Sequence, residues 1–254
     1  SLPILIISGP TSIGKSNLAI KLAIKYNAEI INADSMQVYS NLNVLTARPS
    51  IEEMSIVPHY LYGHISGSKR YNVANWCEDA SKIIKKNNKK NILNIVVGGT
   101  GLYIEKILNG LISVPSIPEF IKKESEDLIN KIGIENFYNK IKEIDPTALK
   151  KISKNDNSRL RRIWEVYKFT NNNMTFWLNN KNKKYLSGLD CKLVLFQPEK
   201  KMIYERINKR FVNMIQNGAI EEVKKLRGLN LENSLLFFAN GLARALLAFK
   251  SIPK

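Results

Sequence analysis

Gly9-Pro10-Thr11-Ser12-Ile13-Gly14-Lys15-Ser16 spells G-x-x-x-x-G-K-S, and the apolar run at residues 2–7 stands just before it. Strand, glycine-rich turn and helix in that order make a phosphate-binding loop. Backbone N–H groups converge on a polyphosphate at the helix N-terminus, a lysine reaches the outer phosphates, and a hydroxyl is available to Mg²⁺. Gly9 and Gly14 supply backbone angles and a closeness of approach that a Cβ would obstruct. ATP or GTP is the usual occupant of such a loop, but the loop alone specifies only a diphosphate or triphosphate.

Working outward, Leu18, Leu22, Ala23 and Tyr26 recur at helical spacing as far as Asn27. Residues 29–33 form a short apolar strand ending at Asp34-Ser35, and residues 91–97 a further one running into Gly98-Gly99-Thr100-Gly101. Apolar strands that end in Gly, Asp, Ser or Thr near one edge predict a doubly wound parallel sheet, with the ligand crevice outside those ends. After Pro115 and Pro118 the texture changes to helical periodicity dense in Lys and Asn. Residues 191–196 return as a strand, and residues 199–225 read as one long helix that carries Arg206 and Arg210 one turn apart. Residues 82–90, with Asn87 and Asn88, read as the charged end of a helix and a solvated turn.

The 254 residues carry a formal charge of +17. That favours a polyanionic partner, although a Lys- and Asn-rich composition also follows from an AT-rich genome. Arginine is more telling: five of nine fall at positions 159, 161, 162, 206 and 210, and its planar fork suits bidentate phosphate recognition. Cys77 and Cys191 have neither a C-x-x-C spacing nor a His-rich neighbour, so neither disulfide nor zinc is indicated. The opening apolar run is too short for a signal peptide and no stretch approaches membrane-spanning length, so a soluble cytoplasmic protein is expected.

Five segments, taken in order, resemble one family, the tRNA dimethylallyltransferases or tRNA isopentenyltransferases. They are the loop itself; Asn32-Ala33-Asp34-Ser35-Met36-Gln37-Val38-Tyr39 with Thr46-Ala47-Arg48-Pro49; Val97-Gly98-Gly99-Thr100-Gly101-Leu102-Tyr103; Asn155-Asp156 through Arg159 and Arg162 to Glu165-Val166-Tyr167; and residues 206–214 with Gly218 and Glu222-Val223. The resemblance implies an α/β fold, a P-loop NTPase-like parallel sheet core over residues 1–112 and 188–254. A helical domain over 113–187, contacting tRNA, is inserted in it.

The activity it implies is transfer of a dimethylallyl group from dimethylallyl diphosphate to the exocyclic amine of the adenosine beside the tRNA anticodon, by a monomer using Mg²⁺. The resemblance puts the diphosphate on Gly9, Pro10, Thr11, Ser12, Ile13, Gly14, Lys15 and Ser16, with Ser16 facing the metal and Arg206, with Arg210, as clamp. It implies Asp34 as general base and Thr100 on the leaving oxygen, with Lys15 and Arg206 also serving catalysis. It gives tRNA contact to Asp34, Ser35, Met36, Gln37 and Arg48, and to Ser158, Arg159, Leu160, Arg161 and Arg162.

Departures from the family pattern are Arg48 for the usual Lys, Tyr60 for a second His, and a loose match at Asn240-Gly241-Leu242-Ala243-Arg244. The family's Arg- and Trp-bearing terminal helices are also unmatched before Lys254. The rival readings are an adenylate isopentenyltransferase, a small-molecule kinase using ATP, and an RNA-binding module that retained the loop.

Overall fold

The computed structural model describes residues 2–180, 182–226 and 229. The motif at Asn240 to Arg244 and the remainder of the chain end lie outside the described residues. In chain order the elements are β1 (Ile4–Ser8), α1 (Lys15–Tyr26), β2 (Ala28–Asn32), α2 (Ile51–Ile56), β3 (His59–Tyr60), α3 (Val73–Lys89), β4 (Leu93–Gly98) and α4 (Gly101–Asn109). Then come α5 (Glu119–Ile144), α6 (Pro146–Leu149), α7 (Asn157–Thr170), α8 (Met174–Asn179), β5 (Cys191–Leu195), α9 (Lys200–Gln216) and α10 (Ala219–Leu226).

The strands form one parallel sheet in the order β3-β2-β4-β1-β5. Ile4, Ile6 and Ile7 of β1, Ile30 and Ile31 of β2 and Ile95 to Val97 of β4 are buried, as both-face coverage of a parallel sheet requires. The sheet therefore has the α/β class that its apolar runs predicted, with one strand more on the described side. β3 is two residues long and carries no periodicity that a sequence could display.

Contacts divide the chain into two compact units, one of residues Ser1–Asn109 with Lys184–Lys254 and one of Gly110–Lys183. The second is helical, α5 to α8, around Ile121, Phe137, Leu160 and Trp164. Within α5, Gly133 adopts φ 77°, ψ 160°, which breaks the helix where only glycine tolerates the angles.

Two expectations need correcting. The long helix at 199–225 is two helices, α9 and α10, parted at Asn217-Gly218, where Gly218 takes φ 93°. The solvated turn expected around Asn87 and Asn88 is not there: both lie within α3, buried Asn87 donates its side-chain amide to Asn94 Oδ1 at 2.9 Å and Asn88 Oδ1 accepts Asn94 Nδ2 at 3.0 Å, so both asparagines tether α3 to β4.

Candidate active site

The phosphate loop joins β1 to α1. Gly9, Ser12 and Gly14 all take positive φ, at 147°, 64° and 90°. A Cβ on Gly9 would stand 2.8 Å from the Phe196 carbonyl oxygen, so the loop is pressed against the end of β5. No acidic side chain occupies the first turn of α1 and no side chain caps it, so the positive end of that helix is open to an anion. Lys15 Nζ donates to the Pro10 carbonyl. Burial holds the Lys15 ammonium below its ordinary range; Asp34 opposes this and Arg210 adds to it.

One pocket is lined by Thr11 to Ser16 of this loop together with Asp34, Gln37 and Arg210. Asp34 follows β2. Its amide donates to Asn32 Oδ1 at 2.9 Å, and buried Asn32 is itself tied to the Leu61 carbonyl at 2.9 Å. Asp34 Oδ1 accepts the amides of Met36 at 2.9 Å and Gln37 at 3.3 Å, as a cap on the turn that follows. Both the capping role and a place facing the pocket therefore hold for this carboxylate. Arg210, on α9, donates to Thr11 Oγ1 and, at 3.0 Å, to the Thr46 carbonyl. Its guanidinium is also held below its ordinary range, chiefly by burial and against the pull of Asp34.

Other expected residues stand elsewhere. Arg206 is exposed and does not line the pocket. Thr100 Oγ1 accepts the Ser35 amide at 2.9 Å and its own amide donates to the Ala33 carbonyl at 3.1 Å, so it braces the Asp34 turn from behind. Arg48 is half-buried, with its guanidinium lying over Gly63 and one N–H directed at the Tyr39 carbonyl at 3.4 Å. Ser35 and Met36 flank the pocket without lining it.

The sequence singles out neither Asn17 nor Tyr62, and it places Thr46, Ala47, Val97, Gly98 and Gly99 in motifs without a site role, yet all seven line the pocket. Thr46 and Ala47 contribute through carbonyls, taken by Gln37 Nε2 at 3.0 and 3.3 Å, and a carbonyl leaves no mark on residue type. Tyr62 lies two residues past β3; burial, then the charge of Asp34, pushes its phenol well up. Gly98 explains how closely the strand ends meet: a Cβ there would fall 2.2 Å from the carbonyl carbon and oxygen of Ala33.

In the helical unit, α7 is capped by Asp156, whose Oδ1 accepts the Arg159 amide at 3.0 Å. Leu160 is fully buried. Arg161 turns inward, donating to Ser125 Oγ at 2.9 Å and the Lys122 carbonyl at 3.0 Å, beside buried Glu165 at 3.7 Å. Ser158 and Arg159 are exposed and Arg162 is half-exposed.

A glycine-rich anion cradle, two cations and one carboxylate, brought together at the carboxyl ends of parallel strands, define a phosphate-loop α/β protein. A family model described as IPP transferase matches residues 37–251, and one described as isopentenyl transferase matches residues 2–62. The chain is 40% identical to a tRNA dimethylallyltransferase of Bartonella tribocorum over 91% of this chain and 79% of that protein. Among solved structures, a eukaryotic dimethylallyltransferase acting on tRNA superposes with TM-score 0.78 at 28% identity, over 89% of this chain and 56% of that one. The full-length tRNA isopentenylpyrophosphate transferase of Bacillus halodurans does so with TM-score 0.60 at 27% identity, over 99% and 88%. The chain belongs to the IPP transferase family, and with it to the tRNA dimethylallyltransferases.

Proposed function

We propose that this protein transfers the dimethylallyl group of dimethylallyl diphosphate to the N6 amine of the adenosine beside the tRNA anticodon, releasing diphosphate. The observation that carries this reading is the sharing of one pocket by Asp34, Lys15, Arg210 and the phosphate loop. A leaving diphosphate gains charge as its bond to carbon breaks, and the loop amides, Lys15 and Arg210 are fixed where they offset that charge. The amine forms a bond to C1 of the prenyl group, the C1–O bond breaks, and the electron pair leaves on the diphosphate. The amine proton passes to Asp34. Because Oδ1 is committed to the Met36 and Gln37 amides, Oδ2 is the oxygen assigned to receive it.

Arg210 is assigned as the diphosphate clamp, since Arg206 is exposed. Thr100 is assigned a positioning role, because its hydroxyl already holds Ser35. Gln37, held by two carbonyls, keeps its side-chain oxygen for the edge of a base, and the base must leave its stack to reach the pocket. In the helical unit, Ser158, Arg159 and Arg162 are assigned to phosphate contact, while Leu160 and Arg161 hold the helix that carries them.

Mg²⁺ suits the donor set. Ser16 offers a hydroxyl at the pocket, beside the place where an ion carried on substrate phosphates and water would stand. When bound, the ion would supply charge neutralisation to the leaving diphosphate. Among the described residues no helix is long and apolar enough to cross a membrane.

Mass spectrometry of tRNA nucleosides after incubation with the protein, dimethylallyl diphosphate and Mg²⁺ should show prenylated adenosine. Transfer to free AMP without transfer to tRNA would replace this reading with the adenylate one.

A further inference from the structure

Glu222 lies on α10, outside the pocket lining, and neither the chemistry nor the binding assigned above uses it. Its carboxylate spans a turn: Oε1 accepts the Asn43 amide and Oε2 the Leu45 amide at 2.8 Å. The turn is wound tightly on itself, with Ala47 N donating to the Val44 carbonyl at 3.0 Å and Arg48 N to the Asn43 carbonyl at 3.1 Å. Ala47 sits at φ 45°, a left-handed angle that a residue with a Cβ keeps only when its surroundings enforce it. Two carbonyls leave this turn toward the pocket. Thr46 O is shared by Gln37 Nε2 and Arg210 Nη2, each at 3.0 Å, and Ala47 O takes a second contact from Gln37 at 3.3 Å.

We infer that Glu222 is a positioning residue for both halves of the reaction site: by fixing the turn at 43–47 it aims Gln37 at the base and Arg210 at the diphosphate. A carboxylate suits this task because one rigid group can take two neighbouring amides at once, and charged acceptors bind amides more strongly than neutral ones. Val223, the next residue, packs with Val38, Leu42 and Leu45 and so contributes apolar contact to the same turn without ordering its carbonyls. The inference rests on the function proposed above for its base-reading half and on the phosphate loop alone for its diphosphate half.

The experiment compares Glu222→Gln with Val223→Ala. Glutamine keeps the size but turns an N–H against one of the amides. Calorimetric titration with inorganic diphosphate and Mg²⁺ reads the Arg210 side, and KM for tRNA at saturating dimethylallyl diphosphate reads the Gln37 side. Glu222→Gln should weaken diphosphate and raise KM for tRNA, each by about 5- to 10-fold, with kcat changing less. Val223→Ala should lower the melting temperature and leave both constants within about twofold. The inference is overturned if Glu222→Gln leaves both constants in that same range, or if Val223→Ala moves them as far at an equal loss of melting temperature. A wild-type protein that prenylates no tRNA sinks the proposed function instead; loss of diphosphate affinity in Glu222→Gln would then still support the turn's hold on Arg210.

Discussion

The loop at residues 9–16 and the stretch at 158–162 of α7 were both nominated as contiguous recognition segments, yet the fold treats them in opposite ways. In the loop, six neighbours from Thr11 to Ser16 face one pocket, because a chain that wraps an anion presents successive amides to it. On α7 the same kind of run is divided by the helical period. Leu160 goes to the core and Arg161 to an internal network with Ser125 and Glu165, leaving Ser158 and Arg159 exposed. Past Gly9 and Pro10, which do not line the pocket, the loop motif reads as a continuous site, whereas on a helix a motif must first be sorted by face.

The sharpest way to break this contrast is at Asp34, which caps a turn and to which we assign the proton transfer. Asp34→Asn keeps the acceptor for the Met36 and Gln37 amides but removes the base, so turnover should fall by about 10²-fold or more while tRNA binding and melting temperature hold. A rate near wild type would leave Asp34 a cap only. Diphosphate affinity should stay level or tighten, because a negative charge leaves the neighbourhood of the anion.

Next in size is the pair on α9. Arg210→Ala should raise KM for dimethylallyl diphosphate by about 10- to 100-fold, the worth of one or two charge-assisted hydrogen bonds, while Arg206→Ala stays within about twofold. Equal effects would return the clamp to both arginines.

The smallest effect belongs to the helical unit. Arg159→Gln with Arg162→Gln should flatten the logarithmic salt dependence of tRNA affinity by about 1 to 2 and weaken binding only a few-fold. Arg161→Gln should do the reverse, lowering the melting temperature by stranding buried Glu165 while leaving the salt slope alone. If all three arginines moved the slope alike, the sorting by face would be wrong.

Legibility followed the same division. β1, β2 and β4 were readable because buried parallel strands are continuous apolar runs, β5 because Leu193 to Phe196 is apolar even though its described side chains are largely exposed, and the loop because phosphate chemistry demands glycines at fixed spacing. β3 was not, since His59-Tyr60 is too short to show a period, and the break at Gly218 was hidden inside a pattern that stays helical on both sides. In the site, Lys15, Asp34, Gln37 and Arg210 could be named from motifs. Thr46 and Ala47 stood inside a quoted motif but their role could not be named, because their contribution is main-chain oxygen presented by a turn whose geometry depends on Glu222, 175 or more positions away in sequence. Tyr62 was missed for a different reason: an isolated tyrosine past a two-residue strand has nothing in its neighbourhood to single it out.

Gly98 deserves a last consideration as a spacer. Its missing side chain lets the end of β4 lie against Ala33, the residue before the carboxylate, while its neighbour Gly99 faces Gly9, where even an added Cβ would sit 3.5 Å from the carbonyl oxygen. Gly98 thus lies against the segment that would receive the proton and stands in register with Ser8, the residue before the loop that would receive the leaving group. A displacement reaction tolerates little error in the separation of its two ends. On the Ala33 side that separation is held to a gauge one methyl group thick, ground into the backbone and not dependent on any side chain finding its rotamer.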